Sequence, residues 1–261
     1  MAPLQSQSFA QQSFFFATCS KLAYLRRKDG IPAFGNIGFS ASYISKNGSQ
    51  VYVISNQHDI VIVCRGTEPT QFEDIKADLD VNLVTFSDKA EVHDGFNKSV
   101  DNVWVNVDRA IKKQDERRVW ITGHSLGAAM ATIIAVRLAQ QPSTADKITL
   151  FTYGSPRVGN KDMAKLIDSC GITHHRFVNN ADIVTRVPTR PYKHCGNLVY
   201  MNHWGNIRKV TGWQIIKDRV RGFVKGLKKG KINFFVNHSI DRYCANLERW
   251  SYGIENPETI I

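Results

Sequence analysis

One pentapeptide of this chain, Gly123-His124-Ser125-Leu126-Gly127, sets a serine between two glycines at the spacing G-x-S-x-G. Val119-Trp120-Ile121-Thr122 before it reads as a strand, and Ala128-Ala129-Met130-Ala131 after it reads as the start of a helix. A serine at such a strand–turn–helix elbow is held in a strained turn that lifts its Oγ above the sheet edge. Glycines on either side are needed because side chains there would collide with the neighbouring strand and helix. The amide end of the following helix favours the negative charge that builds when the hydroxyl attacks a carbonyl. A bare five-residue pattern occurs often by chance, and a glycine-rich connecting turn is the bland alternative. The two correct flanks favour a nucleophile.

A serine hydroxyl needs a base, and the base needs a carboxylate to orient it. On an elbow of this kind the chain order is serine, acid, histidine. Among the acids after Ser125, Asp146, Asp162 and Asp168 lie in or beside helical segments. Asp182 follows Phe177-Val178-Asn179-Asn180-Ala181, just past a strand, where open α/β sheets place their ligands. An Asx-turn is its plain alternative. The histidines after Asp182 are His194, His203 and His238. His238 sits in a loop before the last helical stretch and is favoured by position, although any of the three could be a turn or surface residue.

These residues need a scaffold, and the pattern supplies one. Ser8–Leu25 reads as an opening helix, and Phe39–Ser45, Gln50–Ser55 and Ile60–Arg65 as short strands split by turn residues. Asp94–Lys113 carries Phe96, Val100, Val103, Trp104, Val107 and Ile111 at helical spacing. Beyond it, strands at Val119–Thr122, Ile148–Tyr153, His175–Val178 and Leu198–Met201 alternate with helices at Ala128–Gln140 and within Arg157–Cys170. Helical patterns at Trp213–Lys228 and Ile240–Trp250 close the chain. Such alternation implies an α/β fold, a mostly parallel central sheet flanked by helices. With no repeat and no Gly/Ser linker, residues 1–261 read as one domain.

Composition narrows the function classes. Hydrophobic residues at 43% and charged residues at 22% describe a chain with a real core, which excludes disorder and coiled coil. No run of eighteen apolar residues offers a membrane-spanning helix. Of the formal net charge of +11, the window Arg208–Lys231 holds +8, with nine basic residues against Asp218 alone. Charge confined to one window, without a recognition motif, argues against a nucleic-acid binder. Five cysteines without C-x-x-C spacing fit neither zinc nor a disulfide framework. The start, Met-Ala-Pro-Leu-Gln-Ser-Gln-Ser, lacks the basic and apolar parts of a secretory signal. Together with free thiols, this points to a cytoplasmic protein or to export without a cleaved signal.

Six segments, in order, resemble the class 3 lipase family, the fungal-lipase-like α/β-hydrolases. They are Arg65-Gly66-Thr67, Val92-His93-Asp94-Gly95-Phe96, Thr122–Ala128, Thr152–Gly159, Asn179–Val184 with Val187-Pro188, and His238-Ser239-Ile240 with Tyr243. The resemblance implies an α/β-hydrolase fold with Ser125 as nucleophile, His238 as general base and Asp182 as the carboxylate that holds it. It also implies an oxyanion hole made by Thr67, through amide and hydroxyl, and by the Leu126 amide. The expected substrate is a lipid or other acyl ester, with no metal and no cofactor. The phospholipase A reading and that of a catalytically silent membrane-binding module are the alternatives. One departure stands out: the family commonly carries aspartate before its catalytic histidine, whereas Asn237 stands here.

Two further stretches carry expectations. Phe72, Ile75 and Leu79 recur at helical spacing after Thr67, fitting either a lid over an acyl pocket or a surface helix packed on the core. Trp213, Ile216, Val220, Phe223 and Leu227 alternate with basic residues across 213–231. That pattern fits a helix lying on an anionic membrane surface, or an ordinary core-packed helix with a solvated basic face.

Overall fold

The computed structural model describes residues 2–66, 82–112, 117–141, 148–208, 214 and 236–255. Thr67, the proposed lid stretch around Phe72, Asp146 and all of 213–231 except Gln214 lie outside the described residues.

The strands are β1 (Ser40–Lys46), β2 (Ser49–Ser55), β3 (Asp59–Cys64), β4 (Leu83–Ser87), β5 (Ala90–His93), β6 (Arg118–His124), β7 (Ile148–Tyr153), β8 (Thr173–Asn179), β9 (Asn197–Met201) and β10 (Ile207–Arg208). Eight of them form one sheet in the order β1-β2-β3-β6-β7-β8-β9-β10, and β4 pairs with β5 as a separate hairpin. The run β3-β6-β7-β8-β9 is parallel. The pairs β1–β2, β2–β3 and β9–β10 are antiparallel. The helices are α1 (Phe9–Leu22), α2 (Arg27–Asn36), α3 (Asp94–Lys112), α4 (Leu126–Ala139), α5 (Lys161–Ser169) and α6 (Ile240–Ser251).

Every residue of β3 and of β7 is buried, as expected of central parallel strands covered on both faces. Alternation sends Ile60, Ile62, Cys64, Ile121 and Leu150 to one core, where they meet the apolar stripe of α3 and the small residues of α4. It sends Val61, Val63, Trp120, Phe151, Tyr153 and Phe177 to the other, against Phe16 of α1 and Tyr243 and Leu247 of α6. The sequence of α4 is apolar nearly all round because the helix is buried nearly all round, with Gly127–Val136 and Leu138 inaccessible.

The expected helix over Ser8–Leu25 is shorter in the structure. Ser8 is its cap: the Gln11 amide donates to Ser8 Oγ at 3.3 Å and the Ser8 amide to Gln11 Oε1 at 3.0 Å. The helix stops at Leu22, and the chain turns at once into α2, which periodicity did not announce because Gly30, Pro32 and Gly35 lie within it. The β4–β5 hairpin and β10 are likewise additions to the expected elements.

The start of the described chain is tied to the sheet through one buried carboxylate. Asp59 Oδ2 accepts from the Leu4 amide at 2.9 Å, and Asp59 Oδ1 accepts from the indole nitrogen of Trp120 at 2.8 Å. Asp59→Leu would leave both buried donors unpaired, each a loss of about 1–3 kcal/mol. The urea unfolding midpoint at neutral pH should therefore fall by the equivalent of about 2–4 kcal/mol. Asp59→Asn, which keeps an acceptor oxygen, should fall less.

Candidate active site

Ser125 occupies the junction between β6 and α4 with φ 59 and ψ −129, a backbone conformation that L-residues rarely adopt. Its amide donates to the Tyr153 carbonyl at 3.0 Å, fixing the turn to the next strand. The two flanking glycines are required by contact. A Cβ on Gly123 would lie 2.3 Å from the Gly127 carbonyl oxygen, and one on Gly127 would lie 2.3 Å from that of Cys64. Ser125 Oγ is buried and has no hydrogen-bond partner among the described residues. Leu126 opens α4, so its amide is one of the donors that no intrahelical carbonyl can reach.

Asp182 follows β8 and is fully buried. Its carboxylate faces His238, with Nδ1 at 3.1 Å from Oδ1 and 3.0 Å from Oδ2. The same carboxylate accepts from the Val184 amide at 2.9 Å and from the Tyr243 hydroxyl at 2.7 Å. With Nδ1 engaged by a carboxylate, the neutral imidazole carries its proton there and Nε2 is the basic nitrogen. Burial and the neighbouring Asp182 raise the Tyr243 phenol well above its ordinary range, so it stays protonated and donates. The Tyr243 oxygen in turn accepts from the Asn179 amide at 3.0 Å, tying the carboxylate, α6 and the end of β8 together.

The other candidates have different engagements. His194 Nε2 lies 2.6 Å from the Thr185 carbonyl, and His203 sits in the turn between β9 and β10. Asp162 pairs with Lys165 at the surface, and Asp168 accepts from the Gly196 amide. Burial pushes the thiols of Cys195 and Cys244 up to about 12, which keeps them protonated and unreactive. Among the described residues no cluster of His, Cys, Asp and Glu has the make-up of a metal site.

The loop that carries His238 is clamped by consecutive carbonyls. His124 Nε2 lies 2.6 Å from the His238 carbonyl, and Asn179 Nδ2 donates to the Asn237 carbonyl at 2.9 Å. A carbonyl can only accept, so His124 carries its proton on Nε2, and its Nδ1 accepts from the Tyr24 hydroxyl at 2.8 Å. Burial and the nearby His238 hold His124 well below the ordinary histidine range, so it stays neutral. Because the contact at 237 is made by the backbone, it does not depend on whether asparagine or aspartate stands there. Gly154, with φ +58, closes the site from β7: a Cβ would lie 2.8 Å from Asp182 Oδ2 and 2.9 Å from His238 Nδ1.

The sequence singles out Ser125, Leu126, Asp182 and His238, with Thr67 outside the described residues, and marks the Tyr153–Gly159 turn that holds Gly154 as scaffold, but it gives no role to Tyr243, Tyr24, His124 or Asn179. Tyr243 stands in the same short segment as His238, but five residues and a helix start separate them, so spacing alone does not orient one toward the other. The contacts of Tyr24 and Asn179 span 100 and 58 residues of chain, and no local pattern marks them.

Comparison with known proteins bears on the family and the fold. The family model described as Lipase (class 3) matches residues 61–192. A lipase of Rhizopus niveus is 34% identical over 160 residues, which cover 58% of this chain and 40% of that one. A chloroplastic phospholipase A(1) of Arabidopsis thaliana is 44% identical over 70 residues, covering 27% of this chain and 16% of that one. The solved Rhizomucor miehei triacylglyceride lipase superposes with a TM-score of 0.66 at 26% identity, covering 73% of this chain and 79% of its own. The match thus spans about two fifths of the length of the Rhizopus lipase. The fold expectation holds: a mostly parallel sheet with helices on both faces, as in these α/β-hydrolases.

Three substitutions at two positions separate the contributions of this frame. Gly154→Ala should slow phosphonylation of Ser125 by a fluorophosphonate probe by about a hundredfold, because it displaces the Asp182–His238 pair by a good part of an ångström. His124→Phe should slow the same labelling by about tenfold by releasing the His238 carbonyl. His124→Gln, whose amide N–H can replace the Nε2 donor, should recover most of that loss. Equal labelling in all three proteins would contradict this account of the site.

Proposed function

This chain belongs to the class 3 lipase family, and we propose that it is a serine ester hydrolase that cleaves acyl esters of lipids. The observation that carries the proposal is the buried Asp182–His238 pair beside a serine held in the left-handed region. In the proposed reaction Ser125 Oγ attacks the ester carbonyl carbon while its proton passes to His238 Nε2. Asp182 holds the imidazole in the required tautomer and stabilises the imidazolium. The oxyanion is bound by the Leu126 amide and by Thr67. The tetrahedral intermediate collapses, His238 returns the proton to the departing alcohol, and the acyl group stays on Ser125. Water then attacks the acyl-enzyme with His238 again as base, releasing the fatty acid. The arrangement calls for no cofactor.

For the substrate we propose glycerides first, in keeping with the likeness to fungal lipases. Phospholipid is the second reading, favoured by the 44% identity of one segment to a phospholipase A(1). The basic stretch 213–231 would help to bring the protein to anionic lipid, and Thr67 would complete the oxyanion hole.

The test is hydrolysis of a short-chain ester, an emulsified long-chain triglyceride and a phosphatidylcholine dispersion by wild type, Ser125→Ala, Asp182→Asn and His238→Gln. Wild type should act on at least one ester, and Ser125→Ala should lower the rate by at least about ten-thousandfold. His238→Gln should fall about as far, and Asp182→Asn somewhat less. Ester hydrolysis that survives Ser125→Ala would assign the chemistry elsewhere. A folded wild type inert on every ester would favour the silent membrane module.

A further inference from the structure

A hydrolase of water-insoluble esters has to bring the face that carries its serine against the lipid. The described residues around that face include one short turn whose make-up suits this task. Tyr24, which hydrogen-bonds His124, runs directly into Leu25-Arg26-Arg27-Lys28. The Tyr24 hydroxyl lies beside the elbow itself: a Cβ built on Gly66 would sit 2.4 Å from it and 3.3 Å from Ser125 Cβ. Leu25 is 37% exposed, an apolar side chain standing next to three exposed cations. None of the three forms a salt bridge among the described residues, and the one acid close by in sequence is Asp29. By contrast Lys21, one turn earlier, is neutralised by Asp241 at 2.7 Å.

The stability of the fold does not explain these charges. Arg26 is the N-cap of α2 and makes no side-chain capping bond, and Arg27 and Lys28 fill the first two helical positions. Cations there oppose the helix dipole, which favours acids at that end. The turn is nevertheless rigid. The Leu25 amide donates to the Leu22 carbonyl at 3.0 Å and the Gly30 amide to the Arg26 carbonyl at 2.8 Å. The Tyr52 hydroxyl donates to the Leu25 carbonyl at 3.3 Å, and Gly30 packs so closely under Tyr52 that a Cβ would lie 2.3 Å from its oxygen. Three cations and a leucine are therefore presented outward on a fixed backbone, in a place where they weaken the helix they begin.

We infer that the Leu25–Lys28 turn is a docking surface for an anionic lipid bilayer. Leu25 enters the interfacial region while Arg26, Arg27 and Lys28 engage acidic headgroups, so that the elbow carrying Ser125, which Tyr24 adjoins, is brought against the bilayer. Charge complementarity selects the partner: an acidic membrane rewards each cation, and a neutral one does not. The inference rests on the proposed ester hydrolase for its purpose, but binding can be measured without catalysis. It is also separate from the basic stretch 213–231, which belongs to another part of the chain.

The experiment uses the full chain carrying Ser125→Ala, so that vesicles are not consumed. Sedimentation with phosphatidylcholine vesicles and with vesicles rich in phosphatidylglycerol measures binding at low and high salt. Binding is expected to the acidic vesicles only and to weaken as salt rises. Adding Arg26→Gln, Arg27→Gln and Lys28→Gln should weaken it by roughly fivefold per cation, on the order of a hundredfold together. Leu25→Ser should weaken it less. In the active background the triple variant should hydrolyse a dispersed short-chain ester at the wild-type rate, and its melting temperature should be unchanged or raised. A parallel Lys225→Gln, Lys228→Gln, Lys229→Gln variant shows what the other stretch contributes. Acidic-vesicle binding that survives the 26–28 substitutions, or equal binding to neutral vesicles, would overturn the inference. Absent short-chain hydrolysis in wild type would instead count against the hydrolase reading alone.

Discussion

The turn at Ser125 is the constraint to which the rest of the site is fitted. A non-glycine residue held at φ 59 is expensive, by about 1–3 kcal/mol, and survives only where its surroundings permit no relaxed alternative. Here they do not. Gly123 and Gly127 let strand, turn and helix approach to distances that no side chain would allow, and the Ser125 amide is tied to the carbonyl of Tyr153. The helix that follows is packed with alanine and other small apolar residues, and it is buried from its first turn to its last. Movement of the elbow would therefore disturb the central sheet and α4 together.

His238 presents the opposite problem, because it ends a single short 3-10 turn, Val236–His238, ahead of α6 and lies outside the sheet and the long helices. The structure answers with contacts from several directions. Asp182 grips the ring, Asn179 and His124 take the carbonyls of residues 237 and 238, and Tyr243 anchors the carboxylate from α6. These groups come from the ends of β6 and β8 and from the last described helix. Loop placement is thus converted into sheet placement, with short polar side chains as the connectors.

How much of this was legible in the sequence follows from where the signals lie. The elbow could be read because its chemistry is local: glycines two residues from the serine on either side, an apolar strand before it and small residues after it. Helix α3 could be read to within a residue because its apolar positions repeat over several turns. Helix α2 could not, since its glycines and proline are disfavoured in helices, and its form is set by packing under Tyr52. The position of Asp182 past a strand picked it out among the acids, but chain order alone left three histidines open. Only the fold distinguishes them, by turning His194 to a carbonyl and His238 to the carboxylate. The Tyr24–His124–His238 connection joins three distant parts of the chain, and no spacing rule reaches that far.

The antiparallel pairing of α1 with α6 has a geometric corollary. Lys21 meets Asp241 at one end of the pair, and Phe9 meets Trp250 at the other with ring centroids 5.6 Å apart. The first end lies next to the elbow, through Tyr24. The second lies about 20 Å away, the length of a helix of this size. The Leu4 contact with Asp59, at the start of β3, is also on that far side of the sheet. The chain therefore enters α1 and leaves α6 at the pole opposite the serine, whereas it leaves α1 and enters α6 beside the elbow.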